Sequence, residues 1–143
     1  MRFVFPLVAL LGFTAAATAE SRMSLLERFE AGDPVTAGDF RAIASNRVLE
    51  YRMGGVPVYE EHFIDNSGAV SLFWPDGQCE NGHWYEEDQT ICFDWEEYGK
   101  MYSVWSMSDQ LYVRGITDGT ISSFVSDVIV RDDPPRVCKN GMV

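Results

Sequence analysis

The chain has 143 residues, three cysteines and a formal net charge of −11. That length holds one domain with one core. An acidic surface of this kind is repelled by nucleic-acid phosphates and anionic lipid headgroups, which argues against a nucleic-acid partner, and it attracts a basic protein or a cation.

The N-terminal stretch "MRFVFPLVALLGFTAAATAE" carries one positive charge at Arg2, an apolar run over 3–13, and then small residues. Ala17-Thr18-Ala19 fits the small-x-small pattern of a signal-peptidase site, so residues 1–19 are expected to be a removable export signal. The run is too short for the roughly 20 residues that span a bilayer. No membrane span is expected once it is removed. Residues 20–143 form a single β-rich domain, and loss of Arg2 takes the charge from −11 to −12. A periplasmic or secreted location follows, and an oxidising compartment favours one disulfide and one remaining thiol among Cys79, Cys92 and Cys138.

Two short helices come first. In "MSLLERFEAGD", Ser24 and Glu27 form a capping-box pattern, Gly32 marks the stop, and Leu25, Leu26 and Phe29 make an apolar stripe. In "PVTAGDFRAIASN", Thr36 is the N-cap with Asp39 three residues on. Val35 and Phe40 stand where a hydrophobic staple places them, and Phe40, Ile43 and Ala44 share a face that plugs or flanks a sheet.

From Arg47 the texture changes to short β-like runs. Strands are expected over 48–53, 56–64, 69–74, 82–86, 90–96, 101–107, 110–115 and 122–130. Between them stand Gly54-Gly55 and turn-forming clusters at 65–68, 75–82, 87–89, 108–109 and 117–119. Eight short strands in succession predict a mainly β fold. The expected form is a small antiparallel β-barrel or half-barrel of about eight strands, curled to hide its edges, with one or two short N-terminal helices.

The stretch "GQCENGHWYEEDQTICFDW" is the most chemical in the chain. A hairpin turning at Glu87-Asp88 puts Trp84 opposite Ile91 and His83 opposite Cys92. Ile91, Phe93, Trp95 and Trp84 then share an apolar face that belongs in the core, while Cys92, His83 and Asp94 share the other. A zinc site would need three or four converging ligands. Cys79, His83, Cys92 and Asp94 supply the atoms but match no established zinc spacing, so neither a metal nor another cofactor is expected. A disulfide between Cys79 and Cys92, stapling the hairpin to its preceding loop, is the preferred reading. Cys138 either reaches back to the sheet or stays free.

The segments "YEEHFIDNSGAVSLFW", "NGHWYEEDQTICFDWEE" and "YGKMYSVW", through Gly82-His83-Trp84 and Cys92-Phe93, resemble a group of small exported bacterial β-rich domains of unknown function with G-x-W and C-F strand motifs. The resemblance covers about residues 35–125. It implies an exported β-rich domain and supplies no catalytic residues. Members often carry another cysteine a few residues after the C-F strand, where this chain has Tyr98-Gly99-Lys100.

No catalytic residue is assigned. His62 and His83 are the only histidines, neither stands in a nucleophile motif, and G-x-S-x-G, H-E-x-x-H and phosphate-loop patterns are lacking. A four-residue turn at 65–68 sets His62 opposite Ser71, facing solvent. The same register sets Tyr59 opposite Trp74, Glu61 opposite Leu72 and Phe63 opposite Val70. Glu61 is thus the one acid on an apolar face. Turned inward, it would have a raised pKa and could bind a cationic or hydrogen-bonding ligand. A register slip or bulge turning it to water is the simpler reading. The aromatic set of Tyr59, Phe63, Trp74, Trp84, Phe93, Trp95 and Trp105 reads as core before ligand cage.

Together these features favour an exported domain without catalytic activity, serving binding or the cell envelope. The alternative is an acidic inhibitor of a basic secreted enzyme such as a lysozyme. A metal-dependent enzyme built on His83 and the cysteines stands third.

Overall fold

The structure, a computed structural model, describes residues 23–139; the predicted signal, 1–19, lies outside them. Helix α1 (Leu25–Ala31) starts at Ser24, whose side chain accepts from Glu27 N, and ends at Gly32. Strand β1 is the two-residue Asp33–Pro34. Helix α2 (Ala37–Ala44) has the full capping box, with Thr36 and Asp39 each taking up the other's backbone N–H. Both predicted helices form, each opened by the side chain that its sequence offers for the purpose.

The wall follows as β2 (Val48–Met53), β3 (Val56–Ile64), β4 (Ala69–Phe73), β5 (Cys79–Glu87), β6 (Thr90–Trp95), β7 (Gly99–Met107) and β8 (Leu111–Thr117). The short β9 (Thr120–Ile121) and then β10 (Ser126–Arg131) complete it. Each strand from β2 to β8 pairs antiparallel with the next, and β10 pairs with both β8 and β2. The result is a closed barrel of eight wall strands, β2 to β8 plus β10. Closure removes the exposed edges that an open sheet of this size would carry.

The β3–β4 register is the predicted one, with Glu61 opposite Leu72, His62 opposite Ser71 and Phe63 opposite Val70. The β5–β6 register differs by two residues. Glu87 pairs with Thr90, so the turn is Asp88-Gln89, both at positive φ (49° and 64°), and Trp84 faces Phe93 rather than Ile91. Two left-handed residues match the twist of the flanking strands, and Thr90 Oγ1 closes the turn on Glu87 O at 2.5 Å. A shift of two leaves every side chain on its expected face. Trp84, Ile91, Phe93 and Trp95 are accordingly all buried in the core.

Strand β5 begins at Cys79, earlier than expected, because the turn closes within 74–78: Trp74 N donates to Gln78 O at 2.9 Å and Gly77 N to Trp74 O at 3.0 Å. The expected strand over 122–130 starts only at Ser126. Ser122 Oγ accepts from Phe124 N at 3.0 Å and bends the chain out of the ladder before β10. Gly82, of the G-x-W motif, faces Trp95, and a Cβ there would lie 2.6 Å from both Asp94 O and Trp95 Cε3. The glycine serves close packing of the indole against the strand.

One end of the barrel is stoppered by α2. The Phe40 ring makes contacts with Phe63, Trp84, Phe93 and Trp105 at centroid distances of 5.5, 4.9, 6.1 and 4.9 Å. Edge-on contacts of this kind add to the area that Phe40 buries. The staple residue Val35 and the helix residue Ala44 are buried beside it.

The predicted Cys79–Cys92 bridge does not form. Cys92 pairs with Tyr85, six positions along β5 from Cys79, which is about 20 Å at the rise of a strand and far beyond disulfide reach. Cys79 instead bonds Cys138, with Cα atoms 5.7 Å apart, and Cys92 is a buried free thiol. The C-terminal segment therefore folds back as a strap across the outer face of β3, β4 and β5. Arg136 N donates to His62 Nδ1 at 2.9 Å, Cys138 N to Ser71 Oγ at 3.0 Å, and Asn81 Nδ2 to Cys138 O at 2.9 Å. The strap also corrects the reading of His62 as solvent-facing. It is 3% exposed, covered by the returning chain.

Candidate functional site: the barrel cavity

The end of the barrel away from α2 is open. Inside lies a cavity of about 420 Å³, within the range of small-molecule sites. Strand alternation explains its wall. Tyr51 on β2, Tyr59 and Glu61 on β3, Leu72 on β4, Phe93 and Trp95 on β6, and Trp105 on β7 all point inward. Trp74, just past β4, and Tyr98, in the β6–β7 turn, carry the wall to the rim, where Tyr98 is exposed. The rings form a continuous arc: Trp105 meets Tyr51 at 5.9 Å, Tyr51 stacks on Tyr59 at 4.5 Å, Tyr59 meets Trp74 at 5.3 Å and Trp74 meets Tyr98 at 6.2 Å. On the facing side, Val113, Gly115 and Thr117 of β8 and Ser122, Phe124 and Ser126 complete the lining.

Glu61 is the one charged side chain in this lining. It is only 4% exposed. The bulge that the sequence left room for does occur in this strand pair, between Tyr51 and Arg52, and the ladder stays regular through Glu61. The carboxyl therefore points into the barrel. Burial pushes it from 4.5 up to about 8, and the neighbouring Tyr51 hydroxyl pulls weakly the other way. Burial, and secondarily the Glu61 charge, raises the Tyr51 and Tyr59 phenols well above their ordinary value. Neither Tyr51 Oη nor Glu61 Oε2 completes a hydrogen bond among the described residues. Buried polar atoms are ordinarily paired, so these two stand out, as does Glu80 Oε1 on β5. Two other polar groups on this wall are paired: Trp105 Nε1 donates to Ser103 Oγ at 2.8 Å, and Ser103 Oγ donates to Ile91 O at 2.8 Å.

A second buried acid, Glu80 on β5, does a different job. Its Oε2 accepts from Glu97 N at 3.1 Å and so caps the β6–β7 turn at the rim. Sequence reasoning missed Glu80, and alternation alone marks it, two residues before Gly82 and four before the inward Trp84.

On the outer face, polar groups tie β10 and the strap to β2 and β3. Glu50 and Glu60 stand directly opposite each other, and Arg131 Nη1 bridges them at 3.2 and 2.9 Å. His62 Nε2 contacts Glu60 Oε2 at 2.9 Å, which makes Nε2 the protonated nitrogen, since Nδ1 accepts from Arg136. Burial lowers the His62 pKa, in favour of the neutral ring. The predicted set of Cys79, His83, Cys92 and Asp94 does not come together. Cys79 is spent on Cys138, and His83 lies on the outer face, where it stacks on Tyr85 at 5.8 Å and stands 3.9 Å from Asp94. Among the described residues no three His, Cys, Asp or Glu side chains converge as a metal site would need. Of the expected aromatic set, Phe63 and Trp84 pack against Phe40, while Tyr59, Trp74, Phe93, Trp95 and Trp105 line the cavity.

No family model, curated protein or solved structure matches this chain.

Proposed function

We propose that this chain is an exported binding protein without catalytic activity that receives a small, largely apolar ligand in the barrel. The observation that carries this reading is the open cavity of about 420 Å³, walled by an arc of aromatic rings and holding one buried, unpaired carboxyl. Ligand sites combine such an apolar lining with a few polar groups that fix orientation. The export signal and the disulfide fit a protein that works outside the cytoplasm. Among the described residues the cavity lining pairs no nucleophile with a base, the arrangement used in covalent hydrolysis.

Gly115 offers a direct test. It lies on the cavity wall, and the first carbon of an added side chain would meet nothing within 4 Å. Gly115→Leu should fill part of the cavity without disturbing the wall. The neutral fluorophore N-phenyl-1-naphthylamine, titrated at pH 6, should bind the wild type saturably at one site. Its affinity should fall at least tenfold in Gly115→Leu, with the melting temperature within a few degrees. Equal binding by both proteins, or no saturable binding by the wild type, would refute the reading.

A further inference from the structure

We infer that the cavity's ligand is a small organic cation, an ammonium group on an apolar body, held by the Glu61 carboxylate and the faces of the surrounding rings. The inference rests on the cavity being a ligand site and deepens that reading. Three features carry it. Among the described residues Glu61 is the only charged group in the lining, and no Lys, Arg or His of that lining supplies it with a countercharge. Its Oε2 is buried and completes no hydrogen bond among the described residues, although the Tyr51 hydroxyl lies near enough to act on the carboxyl. The rings of Tyr51, Tyr59, Trp74 and Trp105 extend from its surroundings toward the mouth.

Aromatic faces carry negative electrostatic potential and attract cations, ammonium ions above all. An isolated carboxylate in such a wall is costly, and a bound cation offsets that cost by pairing with it. A neutral ligand would leave the ionised form of the carboxyl without a countercharge, and an anion would meet a like charge. The chain's net charge of −11 also favours the approach of a cation over that of an anion.

Binding of a permanent cation is coupled to loss of the Glu61 proton, so it should strengthen with pH. Below about 8, the value to which burial raises Glu61, affinity should rise about tenfold per pH unit. The other titratable groups lining the cavity are phenols: Tyr51 from β2, Tyr59 from β3, Tyr98 from the β6–β7 turn and Tyr102 from β7. Glu60 and His62 flank Glu61 in sequence but lie on the outer face, tied to Arg131 and the strap.

The experiment compares four probes of similar size by calorimetry or tryptophan fluorescence at pH 8: benzyltrimethylammonium, phenethylamine, 2-phenylethanol and 3-phenylpropionate. The wild type should bind the two ammonium probes at least tenfold more tightly than the alcohol, and the carboxylate least. Glu61→Gln should keep its fold, judged by its melting curve, while losing the preference for ammonium over the alcohol. Alcohol binding equal to ammonium binding in the wild type, or a preference that survives in Glu61→Gln, would overturn the inference. If N-phenyl-1-naphthylamine still binds and the ammonium probes do not, the inference fails and the cavity reading stands. If none of the five molecules binds, both fail.

Discussion

Cys79→Ser and Cys138→Ser should each lower stability by about 4 kcal/mol, the chain-entropy value for a bridge across a sequence separation of 59. The loss comes chiefly from freeing the unfolded chain, with a smaller part from releasing the strap. Once the strap is loose, His62 Nδ1 and Ser71 Oγ lose the backbone donors that Arg136 and Cys138 supply. For a domain of this size the melting temperature should fall by more than 10 °C. Reducing the wild type should reproduce the fall. Cys92→Ala removes only a buried thiol and should cost much less, on the order of 1 kcal/mol. Thermal denaturation of the three variants with and without reductant checks the order. A larger loss from Cys92→Ala than from Cys138→Ser would contradict it.

The second large effect is the pH dependence of Glu61. The folded carboxyl titrates near 8 against an ordinary 4.5, so between those values the folded state holds more protons than the unfolded one. The protein's stability is then highest, in respect of this group, below pH 4.5 and declines as pH rises, by about 1.4 kcal/mol per pH unit in the window. Above pH 8 the full loss, about 5 kcal/mol, is in place. His62 and Glu60, whose pKa values are lowered, act in the opposite sense and lose stability as pH falls. The difference between wild type and Glu61→Gln isolates the effect. Urea denaturation should find the two about equal at pH 4.5, and the variant several kcal/mol more stable at pH 8.5. A constant difference across that range would mean that Glu61 is solvated.

Both effects arise where the sequence was least legible. The wall from Val48 to Met107 could be read because hydrophobic alternation and turn residues agree there. The 56–64 strand and the partners of Glu61, His62 and Phe63 follow from that agreement. The helix caps at Ser24 and Thr36 were legible for the same reason, since each is a short-range pattern. The bridge was not, because disulfide geometry depends on which strand ends meet after closure, and spacing carries no such information. His62 was misjudged with it: alternation sets it correctly on the outer face, and nothing local in the sequence says that residues 132–139 return to cover that face. Glu61 is the instructive case. Alternation pointed it inward, the energetic cost of a buried acid argued for a bulge, and alternation prevailed. A barrel with an open cavity tolerates that cost where a solid core would not. Gly115 gave no sequence signal at all, since a glycine that leaves a cavity open looks like one that merely weakens a strand.

The central feature of the molecule is a carboxyl without a countercharge inside an open, aromatic-walled barrel. The most direct test is the pH titration of the Glu61 side-chain carboxyl by carbon-detected NMR in the ligand-free protein. A midpoint near 8, displaced downward by saturating benzyltrimethylammonium, is the result predicted here. A midpoint near the ordinary 4.5, unmoved by the cation, would contradict it.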